Sequence, residues 1–256
     1  MWSTHLLHLQ ARLPAARFTP SAALLAPLRR VKDAAEIAAL KRAAAAADAA
    51  MADILARPLA GKTEREVGRM IADLLIAHGH SSADFAIVAS GGNSGSPHHA
   101  TGDRVLHEGD ALTLDFGGVF DRYFSDITRS VFLGKAPEEY RRIYDVVRQA
   151  QQKAFEAVRP GIACQDVDRA ARRVISEAGY GEYFIHRTGH GLGLDVHEEP
   201  YMVEGNTSPV EPGMVFSDEP GIYIPGRFGV RIEDILVVTA QGAERLNHAP
   251  RDLMET

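Results

Sequence analysis

The chain has 256 residues, enough for one large domain or two small ones. Apolar residues make up 45% and charged residues 24%, and a net charge of −6 with no basic block gives nucleic-acid binding no compositional support. The single cysteine, Cys164, excludes a disulfide framework within the chain, and no window approaches the ~18 apolar residues of a membrane span.

Residues 1–30 show no clean periodicity and contain Pro14, Pro20 and Pro27. They read as an arm, or as the remnant of a missing N-terminal domain, ahead of one main domain at 31–256. His5, His8, Gln10 and Arg12 break any signal-peptide core, so a cytoplasmic protein is expected. "KDAAEIAALKRAAAAADAAMADIL" predicts a helix: Asp33 and Glu36 make a capping-box start, and alanine dominates the interior. "KTEREVGRMIADLLIAHGH" predicts a second, with Thr63 and Glu66 at its start and Gly79 at its end. A strand follows around "DFAIVAS", then a Gly/Asn/Ser/Pro loop carrying His98 and His99.

"HEGDALTLDFGGVFDRYFSDITRSVFLG" predicts a strand pair turning at Gly117-Gly118. Asp115 sits at a position the alternation buries, and Asp126 lies on the returning limb. The order then repeats. A helix opens at Pro137, and a second, "CQDVDRAARRVISEAG", starts at Cys164, which reads as a small helix-start residue. A short apolar stretch at 183–185 leads to the loop "HRTGHGLGLDVHEEP". "GMVFSDEPGIYI" and "FGVRIEDILVVTA" read as strands. In this duplication, inferred from order alone, Asp115 and Asp126 answer to Glu219 and Glu233. The physical reading is two α/β halves packed face to face, their strands forming one curved sheet with the helices outside. Acidic side chains from both halves then share a cleft.

Asp115, Asp126, His190, Glu219 and Glu233 make a hard, oxygen-rich set. Four carboxylates in one cleft repel by several kcal/mol unless protonated or neutralised by cations. Two divalent ions ~3.5–4 Å apart would solve this. One imidazole among oxygens suits Mn²⁺, with Co²⁺, Zn²⁺ or Fe²⁺ as alternatives, and argues against a thiolate zinc site. Taken singly, each residue has a plainer reading. Asp115 fits a turn, Asp126 a surface pair with Arg129, His190 a loop, Glu219 a turn cap and Glu233 a solvated pair with Asp234.

The segments "LDFGG", "SDITRS", "RTGHGLGLDVHEEP" and "DEPGIYIPGRFGVRIEDILVV" resemble the pita-bread metallopeptidase family, which includes methionine aminopeptidase, aminopeptidase P, prolidase and creatinase. The resemblance covers about residues 31–248. "EPGIYIPG" and "GVRIEDILVV" are similar to the Xaa-Pro subgroup, prolidase and aminopeptidase P. It implies an α+β fold of two pseudo-symmetric α/β halves with a curved antiparallel sheet covered by helices. It implies hydrolysis of the bond before proline by a hydroxide bridging two metal ions. By the same resemblance, Asp115 is a bidentate ligand of one metal, Asp126 and Glu233 bridge, and His190 and Glu219 complete the other shell. Glu219 is also the general base. His98 and His197 face substrate and donate to the oxyanion, and Arg231 orients the metal-bridging side; His186 and His107 read as structural, and His99 as a minor alternative to His98. The expected partner is a proline-containing peptide, with no nucleic acid, no membrane and a possible homodimer. Other family chemistries stay open: methionine aminopeptidase, ectoine hydrolysis, a sulfonium lyase, a creatinase-like hydrolase, or an inactive binding protein. Two departures stand out. Only about 30 residues precede "VKDAAEIAALKRA", so a catalytic domain alone is expected. Asp218 stands beside Glu219, where an added buried charge would raise the Glu219 pKa or alter metal affinity.

Overall fold

The computed structural model describes residues 3–256, apart from the side chains of residues 22 and 23. The N-terminal segment is largely helical rather than irregular. Helix α1 (Ser3–Arg12) buries none of its residues, and α2 (Ala22–Arg30) follows with Pro27 inside it. In the first half, α3 (Ala34–Leu55) and α4 (Glu64–Ala77) both open with complete capping boxes, Asp33 with Glu36 and Thr63 with Glu66. Strand β2 (Ala111–Phe120) lies between β1 (Ser82–Ser90) and β4 (Ile127–Phe132), antiparallel to both, and also pairs with the short β3 (Tyr123–Phe124).

The second half repeats the helix pair with α5 (Glu138–Ala157) and α6 (Cys164–Glu177). Its strands are β5 (Gly189–Gly191), β6 (Glu198–Met202), β7 (Val215–Asp218), β8 (Gly221–Ile224), β9 (Phe228–Arg231), β10 (Asp234–Val238) and β11 (Ala243–Arg245). They form an antiparallel sheet in the order β11-β10-β7-β5-β6, with β8 and β9 as a separate ribbon. The duplication is written in the backbone more than in residue identity. Gly61 and Gly161 precede α4 and α6 at φ 85° and 88°, and Gly79 and Gly179 follow them at φ 98° and 86°. These left-handed conformations favour glycine. Gly61 N donates to Leu106 O and Gly161 N to Val210 O, both at 2.8 Å.

Each half has its own core. Met51, Ile71, Phe116 and Val131 pack α3 and α4 onto β2 and β4; Tyr140, Tyr144, Val167 and Phe216 pack α5 and α6 onto the second sheet. The halves join at a bridge between Thr128 and Glu233, where Glu233 N donates to Thr128 O at 3.1 Å. Beside it, Ser130 Oγ accepts from Arg231 N at 2.9 Å and donates to Arg231 O at 3.1 Å. Arg129 is wholly buried at this junction and pairs with Asp234 at 2.7 Å. It is not the surface partner of Asp126.

Three expectations change. The turn of the first strand pair is at Asp121–Arg122, with φ of 49° and 72°, not at Gly117-Gly118. Those glycines lie inside β2 because the backbone crowds there: a Cβ would meet Ser125 O at 2.0 Å from Gly117, and Ser82 O at 2.1 Å from Gly118. "HRTGHGLGLDVHEEP" is not one loop, since it holds β5 and the start of β6. The two C-terminal strands are each broken, at Glu219-Pro220 and at Ile232-Glu233. Proline cannot donate to a ladder, which explains the first break. Cys164 is the buried first residue of α6, and burial raises its thiol pKa to about 11. Among the described residues, no helix is long and apolar enough to cross a membrane.

Candidate active site

The strand breaks position the acids. Asp115 is a residue of β2, Asp126 immediately precedes β4, His190 is the middle of β5, Glu219 follows β7, and Glu233 stands between β9 and β10. All five line one cavity of about 720 Å³ at the meeting of the halves, together with His98, His197 and Arg231. One ligand atom each from Asp126, His190 and Glu233 lie within 4.8 Å of one another. Glu219 stands beside this trio, its Oε1 3.3 Å from His190 Nε2. Asp115 lines the same cavity, its Oδ2 held by Arg231 at 2.5 Å.

The electrostatics are those of an uncompensated acid cluster. Burial, then Asp115 and Glu219, push the Asp126 carboxyl well above the usual range. Burial, then Asp126, does the same to Glu233, whose Oε2 accepts from the Thr128 hydroxyl at 2.6 Å. Burial raises Glu219 to about 7; Arg231 opposes the shift and Asp115 adds to it. Burial, reinforced by His197, lowers His190 to about 3, so its imidazole is neutral. Its Nδ1 faces Gly191 O at 3.1 Å and donates there, which leaves the Nε2 lone pair aimed at Glu219 and Asp126. A lone pair facing carboxylate oxygens is repulsive without a cation or proton between them. Asp126 Oδ1 is buried with no partner among the described residues. Hard oxygens, a neutral imidazole with a fixed tautomer and an orphaned carboxylate oxygen fit divalent cations.

Around this cluster stand the donors. The His197 ring lies 4.1 Å from that of His190. His98 follows a 3-10 turn (Gly91–Gly95) and faces the cavity, whereas His99 turns away to Glu64 at 2.8 Å. Arg231 is bound at every nitrogen: Nε to Thr128 Oγ1 at 3.1 Å, one terminal nitrogen to Tyr223 OH at 2.7 Å, the other to Asp115. The motifs do not single out Tyr223, which is buried like its neighbour Ile222. His186, which reads as structural in the sequence, lines the cavity, its Nε2 2.8 Å from Tyr223 OH. Burial, then Arg231, takes the His186 pKa down to about 3, so it accepts from the tyrosine. The cavity also has apolar lining from Phe85, Ile87, Phe124 and Val203, and a second guanidinium, Arg187, which opens the segment "RTGHGLGLDVHEEP" but has no role assigned there. Asp218 is fully buried opposite Asp234 in the β7–β10 pairing, and burial raises its pKa well above the usual range. The rise at Glu219 follows first from its own burial, with Asp115 adding to it, and the repulsion between Glu219 and Asp218 contributes to the rise at Asp218.

Residues 38–240 match the metallopeptidase family M24. The "Probable dipeptidase PepE" of Mycobacterium tuberculosis is 48% identical over 232 residues, covering 90% of this chain and 62% of its own length. The "Xaa-Pro dipeptidase" of Pyrococcus furiosus is 40% identical over 228 residues, covering 89% of this chain and 66% of its own length. The chain thus spans under two thirds of either curated relative. The crystal structure of recombinant prolidase from Thermococcus sibiricus superposes with a TM-score of 0.98 at 41% identity, covering 100% of this chain and 70% of that one. The two-halved architecture is the pita-bread fold. Because the matched stretch runs from α3 to Ala240 and takes in all five clustered side chains, the chain belongs to metallopeptidase family M24.

Proposed function

We propose that the chain is an Xaa-Pro peptidase acting first on dipeptides, with two divalent ions, Mn²⁺ foremost, held by Asp115, Asp126, His190, Glu219 and Glu233. The observation that carries this is the convergence of those five side chains, from strands of both halves, on a cavity large enough for a short peptide. The names of the relatives, Xaa-Pro dipeptidase and prolidase, support the choice of bond.

The ions supply charge neutralisation, a water of lowered pKa and polarisation of the scissile carbonyl. The rest falls to the chain. His98 and His197 reach the cavity with imidazole N–H groups that donate to the oxygen where charge develops. Neutral imidazole serves this role, and burial favours that form of His197. The Glu219 carboxylate, beside His190 at the edge of the cluster, takes a proton from the attacking water and returns it to the leaving proline nitrogen, a secondary amine. Arg231 fixes Asp115, and through Tyr223 and His186 it ties the β8–β9 ribbon to the segment before β5. Phe85, Ile87, Phe124 and Val203 offer apolar surface to the pyrrolidine ring.

The test is proline release from Gly-Pro and Ala-Pro beside release of the first residue from Arg-Pro-Pro, on Mn²⁺-loaded protein with a chelator control. Chelator-sensitive cleavage of the dipeptides alone supports a prolidase, and cleavage of the tripeptide moves the assignment to aminopeptidase P. Asp126→Ala and Glu233→Ala should each abolish activity and metal loading together. Retained activity in either variant contradicts the dinuclear reading.

A further inference from the structure

Four of the carboxylates that line the cavity belong to the central cluster, and one, Asp84, does not. Asp84 is exposed, and its Oδ2 accepts from Ser82 Oγ at 2.6 Å. That partner is neutral, so the negative charge stays available to a cation.

Strand alternation alone would turn Asp84 away from the cavity. Phe85 and Ile87 line the cavity from one face of β1, while Ala83 and Ala86 pack against the core of the first half. By a strict count, residue 84 belongs on the face of Ala86. The pairing with β2 is shifted here, however. Ala83 stands opposite Gly118 and Phe85 opposite Gly117, which leaves Asp84 as an extra residue. A bulge of this kind re-aims a side chain, and it brings Asp84 to the wall that Phe85 forms. Gly117 makes room for that wall, since a Cβ there would meet the Phe85 ring at 2.7 Å. Ile87 stands opposite Asp115, so β1 leads from the acid cluster outward past Phe85 to Asp84. At about 3.3 Å per residue, the path from Ile87 to Asp84 is about 10 Å.

We propose that Asp84 binds the cationic end of the substrate's first side chain, so that the preferred dipeptides are Lys-Pro and Arg-Pro. This rests on the peptidase reading above and adds the class of the first residue. The stem of lysine or arginine lies along Phe85 and Ile87, as such stems do on apolar surface. At the inner end of the path Arg231 and the ions of the cluster repel an ammonium or guanidinium group. At the outer end the same group meets Asp84, whereas a glutamate side chain meets like charge there.

The experiment compares kcat and KM for Lys-Pro, Met-Pro and Glu-Pro in Mn²⁺-loaded wild type, Asp84→Asn and Asp84→Lys at low salt. Methionine is close to lysine in length and carries no charge. The wild type should favour Lys-Pro over Met-Pro by about 3- to 5-fold in kcat/KM, the scale of a solvent-accessible ion pair, with Glu-Pro slowest. Asp84→Asn should bring Lys-Pro and Met-Pro to parity, chiefly by raising KM for Lys-Pro, and Asp84→Lys should place Glu-Pro ahead. High salt should shrink the wild-type preference. Parity in the wild type, or a preference that survives in Asp84→Asn, overturns the proposal. Cleavage of Met-Pro upholds the peptidase reading whatever the ratio, so the two can fail separately. If no dipeptide is cleaved, the peptidase reading falls, and calorimetric binding of Lys-Pro and Met-Pro to the same proteins decides the role of Asp84. Tighter binding of Lys-Pro by the wild type but not by Asp84→Asn supports it; equal affinities, or no binding of either, overturn it.

Discussion

Replacing Glu64 with alanine removes a buried carboxylate at the first position of α4 that organises the loop carrying His98. Its Oε1 accepts from Ser90 N at 2.9 Å, Ser90 Oγ at 2.8 Å and Asn93 Nδ2 at 2.9 Å. Its Oε2 accepts from His99 Nε2 at 2.8 Å and Gly102 N at 3.2 Å. Burial works against the carboxylate, but the bonds from Asn93, Ser90 and His99 outweigh it and hold the pKa below its ordinary value. Each buried donor left without an acceptor costs about 1–3 kcal/mol. The two on Ser90 bear most of this, because Asn93, His99 and Gly102 stand nearer solvent. A loss of about 3–5 kcal/mol follows. For a chain of this size that is a Tm drop of roughly 10 °C, read by scanning calorimetry. Proline release from Ala-Pro should fall by about 10- to 100-fold as His98 loses its support. Glu64→Gln keeps the shape but turns one acceptor into a donor, and should lie between the two. The folded pKa is lowered, so the carboxylate stabilises fully above its unfolded value near 4.5, and this is lost as pH falls through the folded value. The Tm gap between wild type and Glu64→Gln should therefore close in acid. A Tm drop under about 3 °C for Glu64→Ala, or full activity, refutes the reasoning.

Gly118→Ala places a Cβ 2.1 Å from Ser82 O inside the β1–β2 pairing. It should cost more than about 3 kcal/mol or prevent soluble expression, measured by denaturant midpoint, and a near-wild-type midpoint counts against it. Asp234→Ala leaves Arg129 buried without its carboxylate and should destabilise by about 3–5 kcal/mol in the same assay. Arg29 grips Asp195 at 2.7 Å and Glu198 at 2.5 Å on either side of His197, with Lys32 on the other Glu198 oxygen at 2.7 Å. Arg29→Ala should lower kcat about tenfold with a small Tm change, by loosening that histidine; unchanged kcat refutes the link. In chelated protein the raised pKa values of Asp126, Glu219 and Glu233 mean the folded state binds more protons than the unfolded one. Tm should then fall as pH rises from the ordinary carboxylate range through about 7, where Glu219 titrates. Added Mn²⁺ should restore more Tm at pH ~8 than at pH ~5, because its ligands must be deprotonated.

The helices α3 to α6 were legible because caps, glycine stops and alanine content act within one turn of chain. Tertiary packing moved their ends by only a few residues. The acid cluster was legible through resemblance and through the oddity of Asp115 in a buried strand position. What the sequence concealed was set by distant partners. Gly117-Gly118 looks like a turn, and only the approach of Ser125 O and Ser82 O shows why glycine is needed within β2. Arg129 looks like a surface charge beside Asp126, and its burial depends on Asp234 and on carbonyls from the C-terminal tail. His186 and Arg187 open the quoted segment "HRTGHGLGLDVHEEP", but nothing in it assigns them a place in the cavity. Their roles in the cavity wall come from the fold of the whole second half. The α1–α2 segment lacks a buried face in α1 and holds Pro27 in α2, so its helices leave little periodic trace.

The most direct test of the dinuclear mechanism is a stoichiometric one. Chelated protein is titrated with Mn²⁺ while bound ions per chain are counted and proline release from Ala-Pro is followed in the same sample. Activity should grow with loading and saturate at about two ions per chain, the number that neutralises four clustered carboxylates. Full activity with no ion bound or with one, or two bound ions without release of proline, contradicts it.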